Sequence, residues 1–139
     1  MKSNRSLTIK SHPCHLAEVR RFVRSAATES GACEETTFKL VLAVDEAIAN
    51  IIRHAYGGDE TQEIILSAEI TSDTIEFRVR DFGRQADPDT FRSRELTDVR
   101  PGGLGCHLIE HGFDTVAYDT NLPCGTELRL VKRLVSGRD

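Results

Sequence analysis

Ala43-Val44-Asp45-Glu46-Ala47-Ile48-Ala49-Asn50-Ile51-Ile52-Arg53-His54-Ala55-Tyr56-Gly57-Gly58 is the stretch on which the reading of the fold turns. With Leu40 before it, Val44, Ile48, Ile51 and Ala55 recur at three- and four-residue intervals, which is one face of an α-helix. The spacing predicts a helix from about Glu34 to Tyr56, stopped by Gly57-Gly58. Glu46 and Asn50 are four apart, so they share a face about one turn apart, pointing away from the apolar stripe. In isolation Glu-x-x-x-Asn reads as a solvated surface. The same sector also carries Leu42, Ala43 and Ala49, which a solvated face has no reason to prefer. A half-apolar floor with one carboxylate and one amide is the composition of a ligand site. A carboxylate there could take a proton, and an amide oxygen suits a hard cation such as Mg²⁺.

Upstream of this helix, Leu7-Thr8-Ile9-Lys10 alternates like a short strand and His12-Pro13 breaks it. Leu16, Val19, Phe22, Val23 and Ala26 then recur at helical spacing up to Gly31. Downstream, Glu63 to Ile70 and Thr74 to Arg80 read as strands joined in a hairpin at Thr71-Ser72-Asp73. Residues 82–101 are polar and aperiodic, a long loop with one helical turn near Asp89–Arg92. Loops of this length in small domains serve as lids or binding loops, and the lid is placed at about 84–101. Gly102-Gly103-Leu104-Gly105 leads into a short helix ending near Gly112. Strands at Thr115–Tyr118 and Glu127–Val131 flank a turn containing Pro123 and Gly125. Helices early and hairpin-linked strands late predict an α+β fold, with helices packed on one face of a mostly antiparallel sheet, in a single domain over 1–139.

Composition narrows the class. The chain has 139 residues, 39% hydrophobic and 29% charged, a balance that excludes a disordered tail or a membrane protein. It has no apolar run long enough to span a bilayer, and the Met1-Lys2-Ser3-Asn4-Arg5-Ser6 start lacks the apolar segment of a signal peptide. A net charge of −4 argues against a nucleic-acid partner. Cys14, Cys33, Cys106 and Cys124 are scattered with no C-x-x-C pair, which fits free thiols in a reducing cytoplasm.

Three further segments carry chemistry. In Val79-Arg80-Asp81-Phe82-Gly83 the Asp at a strand end commonly just makes a turn. The alternative is a carboxylate accepting from an exocyclic amine, with Gly83 letting a flat ring approach the backbone. Gly102-Gly103-Leu104-Gly105 opens a helix, so its exposed N–H groups and the helix dipole favour phosphate, although glycines at a helix start are also a common structural device. It is neither a Walker A loop, since no Gly-Lys-Ser/Thr follows, nor a Rossmann fingerprint, since no strand leads directly into it. Gly125-Thr126 by itself is a turn before the last strand. His107 and His111 have a spacing compatible with metal binding, yet no carboxylate or Cys completes a ligand set. His12-Pro13-Cys14-His15 reads as a helix entry.

Taken in order, these segments resemble the boxes of the Bergerat (GHKL) ATPases: Glu46-Ala47-Ile48-Ala49-Asn50 the N box, Asp81-Phe82-Gly83 the G1 box, Gly102-Gly103-Leu104-Gly105 the G2 box, and Gly125-Thr126 the last box. The resemblance covers about residues 5 to 134. Ala43-Val44-Asp45-Glu46-Ala47, His54-Ala55-Tyr56 and the ending Leu130-Val131-Lys132-Arg133-Leu134 look specifically like the anti-sigma-factor serine protein kinases of bacterial partner switching. Cys106-His107 depart from the family, which has large apolar residues there.

The resemblance implies a two-layer Bergerat sandwich and ATP with Mg²⁺ as cofactors. Asp81 would accept from the adenine amino group, with Gly83 and Thr126 nearby, and Asn50 would hold Mg²⁺. Gly102, Gly103, Leu104 and Gly105 would line the phosphates, and Glu46 would be the general base. It further implies a small antagonist protein with a phosphorylatable serine as substrate, a sigma factor or a phosphatase as partner, and a homodimer. Two other functions stay open beside the kinase that sequesters a sigma factor: a switch kinase that activates a phosphatase, and a nucleotide-gated binding module without phosphotransfer.

Overall fold

The computed structural model describes residues 3–84 and 109–134. In chain order these form strand β1 (Ser3–Lys10), a short 3₁₀ turn (Pro13–His15), helix α1 (Leu16–Ser30), helix α2 (Glu34–Asn50) running into a π-helical turn (Ile51–Ala55), then strands β2 (Glu63–Ile70), β3 (Thr74–Asp81), β4 (Thr115–Asp119) and β5 (Thr126–Arg133). Residues 109–112, just before β4, are helical. The strands make one sheet in the order β1-β2-β3-β5-β4, antiparallel at every pairing. The α+β expectation holds, and the sheet is antiparallel throughout rather than mostly so.

Period-2 alternation decides which face of the sheet meets the helices. Ile64, Leu66, Ala68 and Ile70 of β2, Ile75, Phe77 and Val79 of β3, and Leu128 and Leu130 of β5 are all buried on one side. Val19, Val23, Ala26 and Ala27 of α1 and Leu40, Val44, Ala47 and Ile48 of α2 close the core from above. Burying each of the larger of these side chains is worth about 1.5–3 kcal/mol, so the core outweighs any surface pairing. The opposite face is polar. There Glu76 is paired with Arg78 at 2.5 Å and Arg129 at 3.3 Å, which offsets the like charges of Arg78 and Arg129 set directly opposite each other across β3 and β5.

The breakers act where glycine is required. Gly31 caps α1 at φ 90° and donates back to Ala27 and Thr28. One feature differs from the sequence expectation. The second helix does not run uniformly to Tyr56: after Asn50 it widens to a π turn, with Tyr56 N–H donating to the Ile51 carbonyl at 3.0 Å. The 3.6-residue apolar pattern continues unbroken through Ile51 and Ala55, so it carries no sign of the wider turn. The face holding Ala43 is packed, in keeping with the half-apolar floor read from the sequence. Ala43 is fully buried, and a Cβ on Gly112 would meet its Cβ at 2.9 Å and the Lys39 carbonyl at 3.2 Å. The helical residues 109–112 therefore pack on α2 along Lys39 and Ala43, the same stripe that continues to Glu46 and Asn50.

The expected helical turn near Asp89–Arg92, most of the expected lid at 84–101, Gly102, Gly103, Leu104, Gly105, Cys106 and His107 lie outside the described residues.

Candidate functional site

Asp81 ends β3 with the same parity as Ile75, Phe77 and Val79, so its carboxylate lies on the helix side of the sheet and is buried, 3% exposed. Directly opposite on β5 stands Thr126, in step with Leu128 and Leu130. The pair is the polar end of an apolar cross-strand ladder. Asp81 Oδ1 accepts the Gly83 backbone N–H at 3.0 Å. Burial pushes the Asp81 carboxyl above the usual carboxylate range, while backbone hydrogen bonds from Gly83 and Thr126 and the charge of Arg80 pull it back only in part. The Thr126 hydroxyl is buried and has no hydrogen-bond partner among the described residues. A buried hydroxyl left unpaired costs about 1–3 kcal/mol, a penalty that a ligand with a donor or acceptor at this point removes.

The backbone around the pair leaves no room for larger residues. Gly125 adopts φ 73°, and a Cβ there would stand 2.0 Å from the Asp81 carbonyl oxygen and 2.6 Å from Phe82 Cα. At Gly83 a Cβ would meet the Ala55 carbonyl oxygen at 2.4 Å. Glycine at these two positions thus sets the approach of three segments: the end of β3, the start of β5 and the end of the π turn.

The last of these contacts is a hydrogen-bonded seam. Arg84 N–H donates to the Ala55 carbonyl at 2.9 Å. The Tyr56 hydroxyl accepts from Phe82 N–H at 2.8 Å and donates to the Glu63 carbonyl at 2.5 Å. Desolvation raises the Tyr56 phenol above its ordinary value. The Arg80 guanidinium lies 4.4 Å above the Phe82 ring, which is partly exposed at the rim.

On α2, Asn50 is buried and Glu46 half-buried. Their burial agrees with a ligand floor and not with a solvated face. They are tied together by a residue the sequence reading passed over: Arg53 donates from Nη2 to Asn50 Oδ1 at 2.6 Å and lies 3.3 Å from Glu46 Oε2. The signal was present as spacing, since Arg53 is three residues after Asn50 and seven after Glu46 on the same helical face. Of the residues singled out from sequence, Asp81, Gly83, Gly125 and Thr126 are brought together. Glu46 and Asn50 lie on α2, whose π-turn continuation is joined to that group through Ala55 and Tyr56. His111 is exposed, and no cluster of three or more metal-ligating side chains occurs among the described residues.

A histidine kinase-like ATPase domain model matches residues 9–132. The chain belongs to the histidine kinase-like ATPase family. It is 33% identical over 120 residues to the serine-protein kinase RsbW of Listeria innocua, covering 80% of this chain and 76% of that one. The serine/threonine-protein kinase BtrW of Bordetella bronchiseptica is 33% identical over 85 residues, 58% of this chain and 60% of that one. Among solved structures, the RsbU and RsbW domains of Rv1364c from Mycobacterium tuberculosis superpose with a TM-score of 0.69 over 95% of this chain, at 19% identity. This chain spans about a third, 32%, of that longer polypeptide, so the likeness there is one of fold. Within the family the chain falls in the RsbW branch of GHKL proteins, as the Ala43–Ala47 and His54–Tyr56 segments anticipate. No helix among the described residues is long and apolar enough to cross a membrane.

Proposed function

We propose that this chain is an ATP-dependent serine/threonine protein kinase and anti-sigma factor of a bacterial partner-switching system, transferring phosphate to a serine of a small antagonist protein. The observation that carries the reading is the buried Asp81 carboxylate beside the unpartnered Thr126 hydroxyl, in a chain whose relatives are named serine-protein kinases. An adenine edge presents an amino donor next to a ring acceptor. Asp81 accepts a hydrogen bond from the amino group and the Thr126 hydroxyl pairs with the neighbouring ring position. Gly83 and Gly125 let the backbone segments that carry Asp81 and Thr126 come together.

Asn50 offers an amide oxygen of the kind a hard divalent cation takes, the other ligands being phosphate oxygens and water. Mg²⁺, when bound with the nucleotide, neutralises the phosphate charge that builds during transfer. Glu46, four residues before Asn50, holds the proton leaving the substrate serine. Gly102, Gly103, Leu104 and Gly105 supply backbone N–H groups to the phosphates. The protein works in the cytoplasm as a homodimer and sequesters a sigma factor while the antagonist is phosphorylated.

Glu46→Gln tests the base. It keeps shape and hydrogen bonding but cannot accept a proton, so ADP binding should persist while transfer from labelled ATP to the antagonist falls by on the order of 10²–10⁴. Asn50→Ala should weaken both magnesium-dependent binding and transfer. Equal transfer by wild type and Glu46→Gln would discard the base. Absence of transfer by wild type to every partner it captures would leave a nucleotide-gated binding module.

A further inference from the structure

Arg53 belongs to no motif in the sequence, yet it holds the two polar residues of α2 at once. Its Nη2 is 2.6 Å from Asn50 Oδ1 and 3.3 Å from Glu46 Oε2, while its side chain is half-exposed. It sits inside the π turn that starts one residue after Asn50. Such wider turns occur preferentially where a helix serves a site.

We propose that Arg53 is a positioning residue that occupies the cation place at Glu46 and Asn50 in the nucleotide-free protein and gives it up when magnesium nucleotide binds. The inference rests on the assignment of Asn50 to Mg²⁺ given above. An amide oxygen can serve a metal and a donor together, but a magnesium ion about 2.1 Å from Oδ1 would lie within roughly 4 Å of the guanidinium nitrogen already there. Two positive centres at that separation repel in a half-buried site. The guanidinium is the one that leaves, because its half-exposed position gives it water to move into. A pair open to solvent in this way is weak, so the displacement costs no more than about five-fold in nucleotide affinity.

Two consequences follow for the site. In the empty protein the Arg53 charge keeps the Glu46 carboxylate and the Asn50 oxygen turned to one point, so the cation place exists before a cation arrives. Once Arg53 leaves, Glu46 loses its hydrogen-bond donor and is free to accept one from a substrate hydroxyl. Release of the base is thereby tied to arrival of the metal-bound nucleotide.

Calorimetry of ADP binding with and without Mg²⁺ on wild type, Arg53→Met and Arg53→Lys tests the inference without requiring phosphotransfer. Arg53→Met keeps the apolar stem and removes the charge. It should bind ADP a few-fold more tightly with Mg²⁺ and unchanged without it, and Arg53→Lys should stay near wild type. The Asn50 side-chain amide signal by NMR should differ between wild type and Arg53→Met in the free protein and coincide in the magnesium-ADP complex.

Weaker magnesium-ADP binding by Arg53→Met would show that Arg53 stays and clamps phosphate, overturning the displacement. Equal affinities, or Asn50 signals that still differ in the complex, would overturn it as well. If wild-type ADP binding is indifferent to Mg²⁺, the metal assignment of Asn50 falls and the inference with it. If wild type binds no nucleotide at all, it is the proposed function that fails.

Discussion

Replacing Asp81 by Asn should separate ligand binding from stability, in opposite directions. The wild-type Oδ1 accepts the Gly83 N–H at 3.0 Å. In Asp81→Asn the side-chain oxygen must stay with the Gly83 N–H, since otherwise two N–H groups would face each other in a buried pocket. The new NH₂ is then turned toward the point where the adenine amino group donates. Nucleotide binding loses a hydrogen bond to a charged acceptor, about 1.5–3 kcal/mol, and leaves a buried donor unpaired, about 1–3 kcal/mol. The lower end of that sum, about 2.5 kcal/mol, is a loss of roughly sixty-fold in ADP affinity.

Stability runs the other way because burial raises the Asp81 carboxyl above its ordinary range. A carboxyl with a raised folded-state pKa contributes stability that is complete below the ordinary carboxylate range and lost as pH rises through the raised value. Above that raised value the ionised Asp81 is therefore a cost to the empty protein that Asn does not impose. Asp81→Asn without nucleotide should melt at or above the wild type, and the gap should widen as pH rises from acid through the Asp81 titration. Calorimetry with ADP and thermal unfolding across that pH range measure both. ADP affinity within about three-fold of wild type, or a melting gap that narrows with rising pH, would refute the reasoning.

Gly125→Ala should cost about 3 kcal/mol or more, because φ 73° is strained for alanine and its Cβ would stand 2.0 Å from the Asp81 carbonyl oxygen; an unchanged urea midpoint would contradict this. Tyr56→Phe removes the hydroxyl between Phe82 N–H and the Glu63 carbonyl, and should cost about 1–2 kcal/mol in urea unfolding together with a several-fold loss of ADP affinity as the Phe82-Gly83 turn loosens. Glu76→Gln tests the open face. Burial acts to raise the Glu76 carboxyl, but hydrogen bonds from Arg78 and Arg129 outweigh it and hold the group below its usual range. Its contribution is thus present above the ordinary carboxylate pKa and fades as pH falls through the lowered value, so the variant should lose about 1 kcal/mol near neutral pH and nothing in strong acid.

By itself the sequence determined the elements and the side of the sheet on which each strand residue lies. Alternation in β2, β3 and β5 is a local property of the chain, although the structure carries those strands one residue further than the sequence pattern, to Asp81 and Thr126. Gly31, Gly57 and Gly58 were legible as stops because positive φ is a one-residue requirement. The ordered boxes pointed to the family for the same reason, each being a short local pattern.

Only the tertiary structure decided what those residues meet. Pairing of β3 with β5 sets Asp81 against Thr126 across 45 residues of chain, and nothing in either segment encodes the register. The burial of Ala43 depends on Gly112 arriving over Lys39, and the need for glycine at 83 and 125 depends on backbone from Ala55, Asp81 and Phe82. The π turn is likewise a result of packing. An apolar 3.6-residue pattern fits both windings, and the seam from Ala55 and Tyr56 to Arg84, Phe82 and Glu63 exists only with the wider one in place. Arg53 reads in the sequence as one more surface charge. Its role emerges once the fold buries Asn50, half-buries Glu46 and leaves the guanidinium between them as the nearest counter-charge.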